Sequence, residues 1–116
     1  MITLDIPGII QAAVEVTLKE EIILSLQFTQ KEIRIKFPTT RSLAKFLKVP
    51  HYYVLPIFAM MEEQHLVTRE QRVGIWTTGE GSRLFFAALQ KADADAVKKL
   101  LPHDLLGRLI DTAERP

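Results

Sequence analysis

Thr39-Thr40-Arg41-Ser42-Leu43-Ala44-Lys45-Phe46-Leu47-Lys48-Val49-Pro50 is the stretch on which the fold turns. Thr39 and Thr40 carry short hydroxyl side chains suited to accept a backbone N–H at a helix start. The helix they open runs to about Lys48, with Leu43, Ala44 and Leu47 on one side and Arg41, Lys45 and Lys48 at i, i+4 and i+7 on the other. Pro50 opens a second helix reaching about His65, with Val54, Phe58 and Met61 as its inward stripe. Pro56, near the second turn, bends that helix or tightens its start. Two short helices cross steeply only where the facing side chain is small and the turn is apolar, conditions that Ala44 and Val49 meet.

Working outward, Glu32-Ile33-Arg34-Ile35-Lys36-Phe37 alternates polar and apolar, which predicts a short half-buried strand ended by Pro38. Further upstream, Asp5 followed by Pro7 marks a helix start, and Ile6, Ile9, Ile10, Ala13 and Val14 follow at helical spacing. Thr17 and Glu20 have the spacing of a capping box before Ile22, Ile23 and Leu26. The first 28 residues are therefore expected to form one bent helix or two consecutive ones.

Downstream, Leu66–Arg69 and Val73–Trp76 are expected to pair as a hairpin around Glu70-Gln71-Arg72. Thr78 then caps one longer helix carrying Leu84, Phe85, Ala88, Leu89, Ala92, Ala96, Val97 and Leu100, which Pro102 breaks. A last amphipathic helix is predicted from Asp104 to Ala113. No repeat, low-complexity tract or linker interrupts this, so residues 1–116 read as one domain. It divides into an N-terminal helical region (1–30), a central helix-turn-helix and hairpin (31–78), and C-terminal helices (79–116).

Net charge is only +1, but its placement is uneven. Residues 1–30 carry Lys19 against Asp5, Glu15, Glu20 and Glu21, whereas residues 31–48 carry Lys31, Arg34, Lys36, Arg41, Lys45 and Lys48 against Glu32 alone. A near-neutral chain with its cations gathered in one stretch suggests a face turned toward a polyanion. The competing reading is an ordinary solvated face. The absence of cysteine excludes disulfides and thiolate metal sites, and fits a reducing cytoplasm. No basic leader precedes an apolar run, and no apolar run approaches the roughly 18 residues that span a bilayer. A cytoplasmic protein without membrane contact is expected.

The string Ser42-Leu43-Ala44-Lys45-Phe46-Leu47-Lys48-Val49-Pro50 resembles the first helix and turn of a winged helix-turn-helix, with its Leu-Ala pair, a leucine three residues after the alanine and an apolar residue in the turn. Val54, Phe58 and Met61 match the buried positions of the second, or recognition, helix, and Glu62-Glu63-Gln64-His65-Leu66-Val67 resembles its exit into the wing. Thr78, Gly81, Leu84 and Phe85 resemble the start of the helix after the wing in MarR-like and PadR-like repressors. The likeness covers roughly 50 residues closely and is more specific for the fold than for either family. It implies a mainly α chain with a small β-hairpin wing (α+β), a winged helix-turn-helix with flanking N- and C-terminal helices. It further implies a DNA-binding transcriptional regulator that is no enzyme, bound to double-stranded DNA as a homodimer through its flanking helices, and needing no cofactor.

On that reading Arg41, Lys45 and Lys48 lie along phosphates, and His51, Tyr52, Tyr53 and Leu55 stand nearest the base edges. Arg69 and Arg72 flank the wing tip, within reach of a backbone or a minor groove. One of the two tyrosines is expected to be partly buried at the helix crossing. The second helix departs from the pattern, because Leu55, Pro56, Ile57, Ala59 and Met60 are all apolar where base-reading helices expose Arg, Lys, Asn, Gln or Ser. Residues 55–60 therefore also suit a protein partner.

Other chemistry finds little purchase. His51, His65 and His103 have no metal-ligand spacing. Gly79-Glu80-Gly81-Ser82 lacks the lysine of a phosphate-binding loop. Glu62 and Glu63, adjacent on a helix, point about 100° apart, which is poor geometry for a carboxylate pair. Trp76 is expected to pack on the back of the hairpin.

Overall fold

The computed structural model describes residues 2–70 and 73–114. Helix α1 (Ile6–Val16) begins where the Asp5 carboxylate accepts the Gly8 N–H at 2.8 Å, and Pro7 sits where a missing N–H costs nothing. The Thr3 hydroxyl and that N–H together hold the Asp5 carboxyl below its usual range. Ile9, Ile10, Ala12, Ala13, Val14 and Val16 are all buried, so α1 is a central helix covered on most sides, packed against later helices.

The expected continuation of helix through residue 28 is not what forms. Thr17 donates its hydroxyl to the Ala13 carbonyl instead of opening a new helix, the chain makes one wide π-type turn over Thr17–Glu21, and Ile22 adopts a left-handed backbone with φ 52°. A β-branched residue is costly in that conformation, so it ends the helix. The chain then enters strand β1 (Leu26–Phe28). β1 pairs antiparallel with β2 (Ile33–Phe37), Leu26 opposite Ile35 and Phe28 opposite Ile33. The apolar run from Ile22 fits either period locally, and pairing with β2 decides for the strand.

β2 buries Ile33, Ile35 and Phe37 and turns Arg34 and Lys36 to the other face, as its alternation predicts. Helix α2 (Thr40–Leu47) follows, capped by the Thr39 hydroxyl on the Ser42 N–H at 3.0 Å. Lys48, with φ 59°, ends it, and the Val49 N–H returns to the Ala44 carbonyl at 3.1 Å. This is a left-handed cap that swings the chain through Pro50 into helix α3 (His51–Glu63). Buried Ala44 lets the two helices approach. Val54, Phe58 and Met61 face inward as expected. Ile57 is buried as well, so it leaves the exposed apolar set to which its neighbours belong.

Strands β3 (Val67–Glu70) and β4 (Gly74–Thr77) form the expected hairpin. β4 also pairs with β2, giving one antiparallel sheet in the order β1-β2-β4-β3. Helix α4 (Gly79–Gln90) starts with the Thr78 hydroxyl accepting the Gly81 N–H at 3.2 Å. A side chain on Gly81 would strike the Leu66 carbonyl, so glycine permits this close approach. The single longer helix expected after Thr78 is two: α4 stops at Gln90, and the Asp93 carboxylate, accepting the Asp95 N–H at 3.1 Å, opens α5 (Ala94–Leu100). Asp93 is itself a strong cap, so a new start prevails over continuation. Helix α6 (Leu105–Glu114) lies along α4.

Phe37 ties the layers together, edge-to-face with Phe58 of α3 at 5.7 Å and with Phe85 of α4 at 6.2 Å. The result is an α+β fold with helices packed on one face of the sheet. Among the described residues no helix is long and apolar enough to cross a membrane.

Candidate nucleic-acid interface

The three cations expected along phosphates share one short element. Arg41 and Lys45 stand one turn apart on α2, Lys48 is its left-handed cap, and all three are exposed. None forms an ion pair with a described residue. They follow from the helix period alone, because Leu43 and Ala44 are buried and the opposite side must face water.

His51 stands at the first turn of α3, half-buried, with its Nε2 at 2.7 Å from the Thr40 hydroxyl. That bond joins the first turns of α2 and α3 across the corner. Tyr52 is 63% exposed and Tyr53 49%, so Tyr53 is the more covered of the two. The buried residues of α3 are Val54, Ile57, Phe58 and Met61. The two tyrosine rings meet edge-to-face, centroids 4.7 Å apart and planes at 80°. Leu55 (37%) and Met60 (49%) extend the exposed side of α3 together with Pro56 and Ala59.

Arg69, on β3, is not free. Its Nε donates to Glu62 Oε1 at 2.8 Å, tying the hairpin to the last turn of α3. Arg72 lies outside the described residues. The far end of α3 is thus acidic, with Glu62 engaged by Arg69 and Glu63 exposed.

Arg34 plays a part that the charge count hides. Its guanidinium donates Nε–H to the Thr77 carbonyl at 3.1 Å, Nη1 to Glu70 Oε1 at 2.8 Å and Nη2 to the Thr68 hydroxyl at 2.5 Å. With its side chain only 15% exposed, Arg34 staples β2 to both strands of the hairpin. It therefore leaves the pool of cations free to meet a polyanion. The one anion of the basic stretch is also engaged: Glu32 accepts the Gly79 N–H at 2.5 Å, at the start of α4. The signal for Arg34 was its place on the same strand face as Lys36, but its partners come from residues 68–77. Trp76 lies opposite both Lys36 and Thr68, on the outer side of the sheet, with its indole N–H buried and without a partner among the described residues.

Away from this face an open apolar groove of about 430 Å³ runs between α1 and α4, lined by Ile6, Ile10, Val14, Leu84 and Ala88 among others. Comparison with protein-family models, with curated proteins and with solved structures finds no match to this chain.

Proposed function

We propose that this chain is a winged helix-turn-helix transcriptional regulator that binds duplex DNA as a homodimer. The observation that carries the reading is the α2–α3 corner, where Arg41, Lys45 and Lys48 are exposed, in no ion pair with a described residue, and close in sequence to exposed Tyr52 and Tyr53. The order of helix, tight turn, helix, hairpin and helix supports it, as does the pairing of β2 with the hairpin. In this reading the α2 cations neutralise phosphates and supply salt-dependent affinity, α3 approaches the major groove, and the β3–β4 hairpin acts as the wing. The groove between α1 and α4, with Leu84 exposed at its edge, is where a second copy would dock across a two-fold axis.

Duplex affinity measured across a salt series tests the reading. Binding should weaken steeply with salt, with a slope set by roughly three to six phosphate contacts per dimer. Joint reversal of Arg41→Glu, Lys45→Glu and Lys48→Glu should abolish binding while the thermal melt stays close to that of the parent. Unchanged affinity in that variant rejects the surface.

A second reading, a winged-helix module that binds protein, is favoured by one observation: the exposed side of α3 over residues 55–60 carries Leu55, Pro56, Ala59 and Met60 and no charge. Joint Leu55→Ser and Met60→Ser distinguishes the two, since it removes apolar contact with a protein partner without bringing a negative charge near the phosphates. Ile57→Glu does not serve, because Ile57 is buried.

A further inference from the structure

We propose that Tyr52 and Tyr53 form a stacking platform for unpaired bases, so that this site takes DNA with an opened or single-stranded segment in preference to continuous duplex. The inference rests on the DNA-binding reading above and narrows its ligand.

The chemistry of α3 points this way first. Sequence in an intact groove is read by amide, guanidinium, ammonium or hydroxyl groups placed against base edges. The exposed side of α3 offers Leu55, Pro56, Ala59 and Met60, and the His51 Nε2 is already engaged by Thr40. Apart from the two tyrosine hydroxyls the first turns of α3 offer no such group, and what they chiefly present is two aromatic rings. A ring face binds any base whose own face is uncovered, and such a base exists only where the duplex has opened. The edge-to-face contact braces the two rings against each other while leaving the edge-donating ring both of its faces. A braced pair loses little conformational freedom on binding.

The charge along α3 points the same way. The helix has 13 residues, about 20 Å of length at 1.5 Å per residue. Laid lengthwise in a major groove, it would carry Glu63 and the Glu62–Arg69 pair toward the phosphates at its far end. A carboxylate there opposes binding. Only the first turns are electrostatically suited to DNA, so the two tyrosines stand on the part of α3 that meets the nucleic acid.

The cations complete the arrangement. The Thr40–His51 bond draws the first turn of α3 against the first turn of α2, where Arg41 stands next to Thr40. Lys48 precedes Tyr52 by four residues, on the other side of the Val49-Pro50 turn. The aromatic pair thus opens α3 directly after a helix with a cation at each end, the combination of stacking platform and backbone-tracking cations that holds single strands. In the complex, duplex on one side of the opening lies along α2 and the hairpin, and the opened bases rest on the tyrosines.

Fluorescence anisotropy with the full chain tests this, using three labelled DNAs of one sequence at one salt concentration: continuous duplex, the same duplex with a central mismatched bubble, and the single strand. The bubble should bind more tightly than the continuous duplex by about tenfold or more. Joint Tyr52→Ala and Tyr53→Ala should bring the bubble down to the duplex value, whereas joint replacement of both by Phe should keep the preference. Equal affinity of the parent protein for bubble and duplex overturns the proposal and leaves the DNA reading standing. So does a preference that survives the double alanine variant. Binding to none of the three DNAs overturns both. The parent comparison needs no variant, and both tyrosines are exposed enough for the substitutions to leave the core untouched.

Discussion

Arg34 and the cations of α2 come from one basic stretch of sequence, yet the fold assigns them opposite work. Arg34 alternates onto the outer face of a strand, where Thr68, Glu70 and the Thr77 carbonyl converge on its guanidinium. Arg41, Lys45 and Lys48 face away from a core-packed helix, with no carboxylate of the described residues within ion-pairing distance. One guanidinium is structural cement, and three equally positive groups remain available. A local excess of charge thus measures binding capacity only after the internally consumed cations are removed.

The sharpest way to break that contrast is Arg34→Ala. It deletes four hydrogen bonds from a mostly buried group, a long one to the Gln27 side chain among them, and leaves Glu70 and Thr68 without their partner. The expected loss is about 2–3 kcal/mol of unfolding free energy, discounted because Glu70 is 40% exposed. Denaturant titration reads it. DNA affinity per folded molecule should stay near the parent value. A normal melt with weakened DNA binding would place Arg34 in the interface and erase the distinction.

Local chemistry was legible in the residues. Asp5, Thr39 and Thr78 each cap the helix they announce, because a cap depends only on the next three residues. The β2 alternation and the hairpin were readable for the same reason. What escaped is set by distant partners. Ile22–Phe28 is apolar enough for either period, and β1 exists because β2 pairs with it. Ile57 reads as part of the exposed apolar side of α3 and is instead core, on a helix against which α1 also packs. The candidate site divides likewise. The α2 cations followed from a 3.6-residue period, whereas the engagement of Arg34 waits on Glu70, 36 residues away. The alternation of β2 placed Arg34 on its face without naming what it would meet there.

An intermediate effect sharpens the free side of the comparison. Lys45→Ala removes one cation from the middle of the exposed α2 face without burying or exposing a core group. Duplex affinity should fall several-fold at low salt, and the slope of log affinity against log salt should drop by about 1 for each phosphate that is no longer neutralised. Stability should move by less than about 0.5 kcal/mol, as for other surface substitutions. A lower affinity with an unchanged slope would mean that Lys45 shapes the helix and touches no phosphate.

The smallest effect falls on the cation that stands between the two classes. Arg69 is half-exposed like the α2 cations, yet it is held by Glu62 like Arg34 by Glu70. Glu62→Gln keeps the shape and most of the packing of that side chain while removing its charge. An exposed pair of this kind contributes about 0.2–1 kcal/mol, so the melt should shift only slightly. The released guanidinium on β3 becomes free to meet a phosphate beside the hairpin, and one carboxylate leaves the acidic end of α3. Both changes act in the same direction, so duplex affinity should rise by a factor of about two to five, with a steeper salt slope. Double substitution with Arg69→Ala should cancel most of the gain. If Glu62→Gln instead weakens binding, the ion pair positions the hairpin for DNA, and Arg69 belongs with Arg34 among the cations consumed by the fold.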